Sequence, residues 1–162
     1  MQFTARLLRS VWMRDTNDVF LIGTQHLNLN AVEMGDEIQR FNAALLPALV
    51  NDIADHGNAR AEEIDADLGC DAAGQVAKLV LSASLSRAVG ARSGLTQEDI
   101  IEYLVAPHPK ADEFLAGLER LRKRAWYLHR ENEQFYFKET ENLGRRIKRD
   151  ARQAPPPKIE AA

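Results

Sequence analysis

The 162-residue sequence has one cysteine, Cys70, so no internal disulfide can form and a thiolate zinc cluster is excluded. A lone thiol fits a reducing compartment, and the expected location is the cytoplasm. Long hydrophobic runs are missing as well. Ala43 to Val50 contains Pro47, and Leu79 to Leu81 stops at Ser82. Neither approaches the roughly 18 apolar residues that span a bilayer, so no membrane contact is expected. The N-terminus carries Arg6, Arg9 and Arg14 without an apolar core and small-residue cleavage site, so no secretory signal is read. Proline and glycine, 6 and 9 residues, are too few for a collagen-like or linker-like chain. There is no GxxxxGK[ST] loop, GxSxG elbow, HExxH or CxxC. No catalytic residue is therefore assigned, and the chain is not expected to be an enzyme on its own or to hold a cofactor.

What is present is an ordinary globular composition, with 45% hydrophobic and 28% charged residues. The length suits one domain, or two small units sharing a core. The formal net charge of −3 hides a split. Residues 1–90 hold 12 acidic against 7 basic residues, whereas residues 91–150 hold 11 against 12. That difference predicts two units with unlike surfaces.

The spacing of Phe3, Leu7, Leu8, Val11 and Trp12 predicts a first helix. Val19 to Ile22 is either an edge strand or an extended segment closing a core. Asn30 is placed to cap a helix from Ala31 towards Phe41. Ala43 to His56 has a helical pattern that Pro47 should confine. Ala59 to Leu68 is a short acidic helix, and Cys70-Asp71 opens another that Gly90 closes. Further on, Thr96 and Asp99 form a capping-box pattern before Gln97 to Val105. Ala111 to Arg124 is strongly amphipathic, with Phe114, Leu115, Leu118 and Leu121 on its inner side. Trp126 to His129 and Gln134 to Lys138 are strand-like, joined by the polar Arg130 to Glu133. Asn142 to Asp150 predicts a last basic helix, and residues 151–162 a disordered proline-rich tail.

Helix, proline break, long helix and two-stranded hairpin come in the order of a winged helix. The expected fold is mainly α: a helical, lid-like unit over residues 1–90, a winged-helix domain (helix-turn-helix plus β-hairpin) over 91–150, and the tail. The long helix takes the recognition-helix position. Lys110, Arg120, Lys123, Arg124, Arg130, Arg145, Arg146, Lys148 and Arg149 are the candidates for contact with nucleic-acid phosphates. Base readout would come from the start of that helix, where Asp112 and Glu113 repel phosphate. The four histidines (His26, His56, His108 and His129) are too scattered for a metal site. Glu62, Glu63, Asp65 and Asp67 read as a solvated helix face, and Cys70 as a small packing residue.

The stretch Leu118 to Ile147, LERLRKRAWYLHRENEQFYFKETENLGRRI, resembles the C-terminal winged-helix segment of the large AAA+ ATPases of phage-defence islands, of the phage growth limitation and BREX type. The matching residues are Leu118, Leu121, Trp126, Tyr127, Leu128, Phe135, Tyr136, Phe137, Thr140, Glu141, Asn142 and Leu143. Upstream, ARLLRSVW is similar to the lid helix of such an ATPase and DVFLIGTQHLNLN to the apolar segment after it. AEEIDADLG and VAKLVLSASLS resemble the connector to the winged helix. The resemblance implies an ATP-hydrolysing family that works with other defence proteins on DNA. Arg6, or alternatively Arg9, would match the lid arginine that senses nucleotide, although the glycine usually beside it is absent. No Walker lysine accompanies it, so ATP would matter only within a full-length ATPase.

The expected role is thus a non-catalytic regulatory or interaction segment of such an ATPase. Its winged helix would contact protein, or nucleic acid weakly through the backbone of double-stranded DNA. The partners would be the AAA+ core, another defence protein or a second copy of the chain. The alternative is a stand-alone winged-helix DNA-binding regulator.

Overall fold

The computed structural model describes residues 22–85, 94–104 and 111–147, together with Ala5, Leu8, Arg9, Val11 and Trp12. The expected unit boundary at residues 90 and 91 and the tail over 151–162 lie outside the described residues. The fold is mainly helical with one small antiparallel sheet. After a 3-10 turn at Thr24–His26, helix α1 spans Val32–Asn42. Helices α2 (Arg60–Leu68), α3 (Ala72–Ser84), α4 (Gln97–Leu104) and α5 (Ala111–Arg124) follow. Strands β1 (Leu128–Glu131) and β2 (Gln134–Phe137) form a hairpin, and residues 143–147 make a final helical turn.

Several local expectations hold and some shift for definite reasons. Thr96 and Asp99 form the reciprocal capping box that starts α4: the Thr96 amide donates to Asp99 Oδ2 at 2.9 Å and the Asp99 amide to Thr96 Oγ1 at 3.1 Å. Asn30 does not cap α1. Its side chain is taken by the opposite loop, donating to Glu62 at 2.8 Å and accepting from the His56 amide at 2.8 Å. The single helix expected over Ala43 to His56 becomes three short turns. These are a 3-10 turn Ala43–Leu45, an α-turn Leu46–Ala48 and a π-turn Leu49–Ile53. Pro47 has no N–H to continue the preceding turn and sits at the start of the α-turn, where that N–H is not needed. The π-turn leaves Leu49, Asp52 and Ile53 on the buried side.

The hairpin pairs Leu128 with Phe137, His129 with Tyr136, Arg130 with Phe135 and Glu131 with Gln134. β1 begins two residues later than the aromatic pattern suggests, because the N–H groups of Trp126 and Tyr127 donate to Asp52 instead of a ladder. The turn is Asn132-Glu133 alone, with φ of 48° and 65°, the geometry of a two-residue type I′ connection. Leu95 adds a one-residue third strand, exchanging both main-chain bonds with Phe135. Next to it Gly94 sits at φ 130° with its Cα facing the Phe135 carbonyl, where a Cβ would lie 2.6 Å from that oxygen.

α3 occupies the centre. Ala72, Ala73, Val76, Ala77, Val80 and Leu81 are all buried, and α2, α4, α5 and β2 pack around them. Small residues set the distance between helices. A Cβ on Gly117 of α5 would lie 2.9 Å from the Ala73 nitrogen, so the two helices cross almost backbone to backbone. At the far end of α3, Ser84 donates to the Val80 carbonyl at 2.7 Å and accepts from the Phe137 amide at 2.9 Å, fixing β2 to the helix. One cluster of buried side chains runs from Val11 and Leu27 through α3 to Phe137, so both halves of the sequence share it.

Two substitutions check this account. Gly117→Ala should destabilise the fold by about 1–3 kcal/mol, since neither backbone can retreat. Glu133→Gly should stabilise it by about 0.5–1 kcal/mol, because glycine adopts the left-handed conformation without strain and the exposed pair lost with Arg130 contributes little. Urea unfolding midpoints read both.

Candidate interaction surface and its charge network

The basic residues singled out for phosphate contact are concentrated at the C-terminal end of α5, in the hairpin and in the turn after it. Most already have internal partners. Arg122 and Lys123 both reach Glu119, at 2.8 and 3.0 Å. The Arg122 hydrogen bond holds the Glu119 carboxyl below its ordinary range, and the same bond raises Arg122. Arg124 reaches along the surface to α2, bonding Glu63 at 3.0 Å and Asp67 at 2.6 Å. Arg130 pairs with Glu133 at the hairpin tip and lies over the Phe135 ring at 5.5 Å. Arg145 donates to the Arg122 carbonyl at 2.7 Å, closing the C-terminus of α5, and burial lowers its pKa against the attraction of Asp52. Arg146 lines a cleft described below. Arg120 stands exposed without an ion pair among the described residues. Lys110, Lys148 and Arg149 lie outside the described residues.

The first helix offers less than its pattern suggests. Arg9 is exposed, and Arg6 lies outside the described residues, as do Phe3 and Leu7. Val11 enters the core while Trp12 is 85% exposed.

The acidic helix is a structural hub rather than a solvated face. Glu62 accepts from Asn30 and from the amides of Asp55, Gly57 and Ala59. Partial burial works to raise its pKa, but these donors outweigh it and hold the carboxyl below the usual range. Asp65 accepts from the amides of Ala73 and Gly74, at 2.8 and 2.9 Å, and so caps α3 from a neighbouring helix. Glu63 takes Arg60 from its own helix and Arg124 from α5. Four carboxylates in six residues thus serve three different elements.

Asp52 was not legible as functional or structural in the sequence, and it is the most unusual group in the fold. It is fully buried, 0% exposed, and its two oxygens accept the amides of Trp126 and Tyr127 at 2.8 and 2.6 Å. Burial pushes its pKa up to about 6, against the opposing effect of those amides and of Arg60 and Arg145 at a distance. Asp65 is also raised to about 6, again by burial first. The available signal was an aspartate inside the apolar pattern Leu45, Leu49, Ile53, where a lone charge demands a partner from elsewhere.

An open cleft of about 820 Å³ lies between β1 and the segment after β2, lined by Tyr127, His129, Lys138, Thr140, Leu143 and Arg146 among others. His129 stacks on Tyr136 at 5.8 Å, and its Nε2 lies 2.8 Å from the Thr140 carbonyl, so that nitrogen carries the proton. Leu143 and Ile147, one helical turn apart, are 73% and 61% exposed beside it. Among the described residues no His, Cys, Asp and Glu side chains converge to hold a metal ion, and no helix is long and apolar enough to cross a membrane.

Comparison with protein-family models, with curated proteins and with solved structures finds no match.

The raised carboxyls of Asp52 and Asp65 have a thermodynamic sign. A folded pKa above the unfolded one means the fold gains stability from protonation. That gain is complete below about pH 4 and disappears as pH rises through 6. For Asp52 it amounts to at most about 3 kcal/mol. Glu62 has the opposite sign, its contribution being lost only as pH falls through its lowered pKa. Urea unfolding should therefore show stability declining between pH 4.5 and 7. Asp52→Asn should flatten much of that decline while costing about 1–3 kcal/mol at the acid end, because an amide oxygen cannot accept both N–H groups well.

Proposed function

We propose that the chain is a non-catalytic interaction segment, with α4, α5 and the hairpin acting as a winged helix that contacts protein, as in the defence-island AAA+ ATPases its sequence resembles. The main support is the charge on the outward side of α5. Asp112, Glu113 and Glu119 there balance Arg120, Arg122 and Lys123, so a phosphate backbone meets no net positive charge. Arg124 and Arg145 are engaged by Glu63, Asp67 and the Arg122 carbonyl, and recruiting Arg124 would leave Glu63 and Asp67 behind. Sequence readout of DNA through the start of α5 is opposed by the same Asp112 and Glu113.

In this reading the AAA+ core or another defence protein covers part of the exposed apolar residues, and ATP belongs to the full-length ATPase. The exposed Trp12 and Leu8 on the first helix are natural sites for such a contact. A second reading, a stand-alone DNA-binding regulator, draws its support from the exposed Arg120 and Lys138, which suit weak backbone contact.

Fluorescence anisotropy of a labelled random duplex separates the two. Binding at physiological salt should be weaker than about 10⁻⁵ M, with a salt dependence matching release of only about two counterions. Saturable submicromolar binding that is lost on Arg120→Glu would favour the regulator. In parallel, sedimentation of the chain with the nucleotide-binding core of a resembling ATPase should give a stoichiometric complex, and Trp12→Ser should weaken it at least tenfold. Absence of any complex would remove the ATPase-segment reading.

A further inference from the structure

The buried Asp52 joins segments far apart in the sequence, yet no cation touches it among the described residues. Its carboxylate receives the Trp126 and Tyr127 amides, the last residues before the hairpin. The uncharged turn Leu46–Ala48 and helices α2 and α3 pack on the π-turn that carries it, and the acidic side chains of α2, Glu62, Glu63, Asp65 and Asp67, are bonded to other segments. α2 contributes Arg60, which is paired with Glu63, and the turn over residues 143–147 contributes Arg145, which is bonded to the Arg122 carbonyl. α3 carries one charge, Lys78, and this acts on Asp65. The nearest positive charges are thus engaged elsewhere and reach Asp52 only at a distance.

We propose that Asp52 is a proton-operated latch between the helical body and the root of the hairpin. With a proton aboard, the carboxyl is a neutral group suited to its dry site, and the root stays seated. Ionised, it is better solvated outside, and the two amides, helped at a distance by Arg60 and Arg145, oppose its exit. By linkage, whichever arrangement binds the proton more tightly is favoured at low pH, and that is the seated one. Rising pH therefore makes opening of the root more frequent, without requiring the core around α3 to unfold. The elevated pKa of about 6 agrees with this sign and places the change near neutrality. β2 is held separately, by Ser84 and Leu95, so the latch acts on the root at Trp126 and Tyr127 and on the start of β1 that follows it, beside the cleft that Tyr127 and His129 line.

Amide hydrogen exchange on the intact chain tests this, with rates at each pH divided by the intrinsic rates. Between pH 5 and 7 the opening equilibrium at Trp126 and Tyr127 should rise about tenfold. The Ala73 and Gly74 amides, held by Asp65, report that residue separately. In Asp52→Asn the pH dependence at Trp126 and Tyr127 should vanish while that at Ala73 and Gly74 persists. A flat profile in the unaltered chain would overturn the proposal. So would increasing protection with pH, or a pH dependence that survives the substitution. Should the variant fail to fold, carbon-13 titration of the Asp52 carboxyl in the unaltered chain decides: a midpoint in the ordinary range below 4.5 overturns the latch.

Discussion

A carboxylate removed from water must find donors, and this fold is assembled around side chains that find them in other segments. Asp52 takes two amides at the hairpin root, Asp65 takes two at the start of α3, and Glu62 takes three plus the Asn30 amide group. Each bond satisfies main-chain N–H groups at a place where helix or sheet leaves them open. The apolar cluster supplies the larger share of stability, but it is not directional. The carboxylates determine which turn lies beside which strand.

That division explains what the sequence disclosed. α5 was legible to the residue, because Phe114, Leu118 and Leu121 lie on one face and acidic and basic residues bias its two ends. α4 was legible from Thr96 and Asp99. The hairpin was legible in kind, through Phe135 and Phe137 alternating with polar neighbours, but its start was displaced by Asp52. Asn30 offered a correct local signal that a distant partner outcompeted. The π-turn was hidden because Pro47 announces where a helix begins and says nothing of how the next turn winds.

The candidate surface was legible in composition and not in geometry. Arg120, Arg122, Lys123 and Arg124 form a basic run, yet a helix sends neighbouring residues to different faces. Arg124 ends against α2 while Arg120 stays in water. The acidic run at Glu62 to Asp67 behaves in the same way. Charge runs in this chain are therefore divided between surface and internal joints, and only three-dimensional placement distinguishes them.

The bonds from Asp52 to Trp126 and Tyr127 bridge separations of 74 and 75 residues. During synthesis the π-turn leaves the ribosome long before the two N–H donors its carboxylate accepts from have been made. The segment Leu49 to Ile53 must therefore wait, with an aspartate among apolar residues, until Trp126 and Tyr127 have emerged from the exit tunnel. Closure of the first half of this core is thus a late event in the life of a nascent chain, and a slow stretch of translation after the hairpin would matter more than one before it.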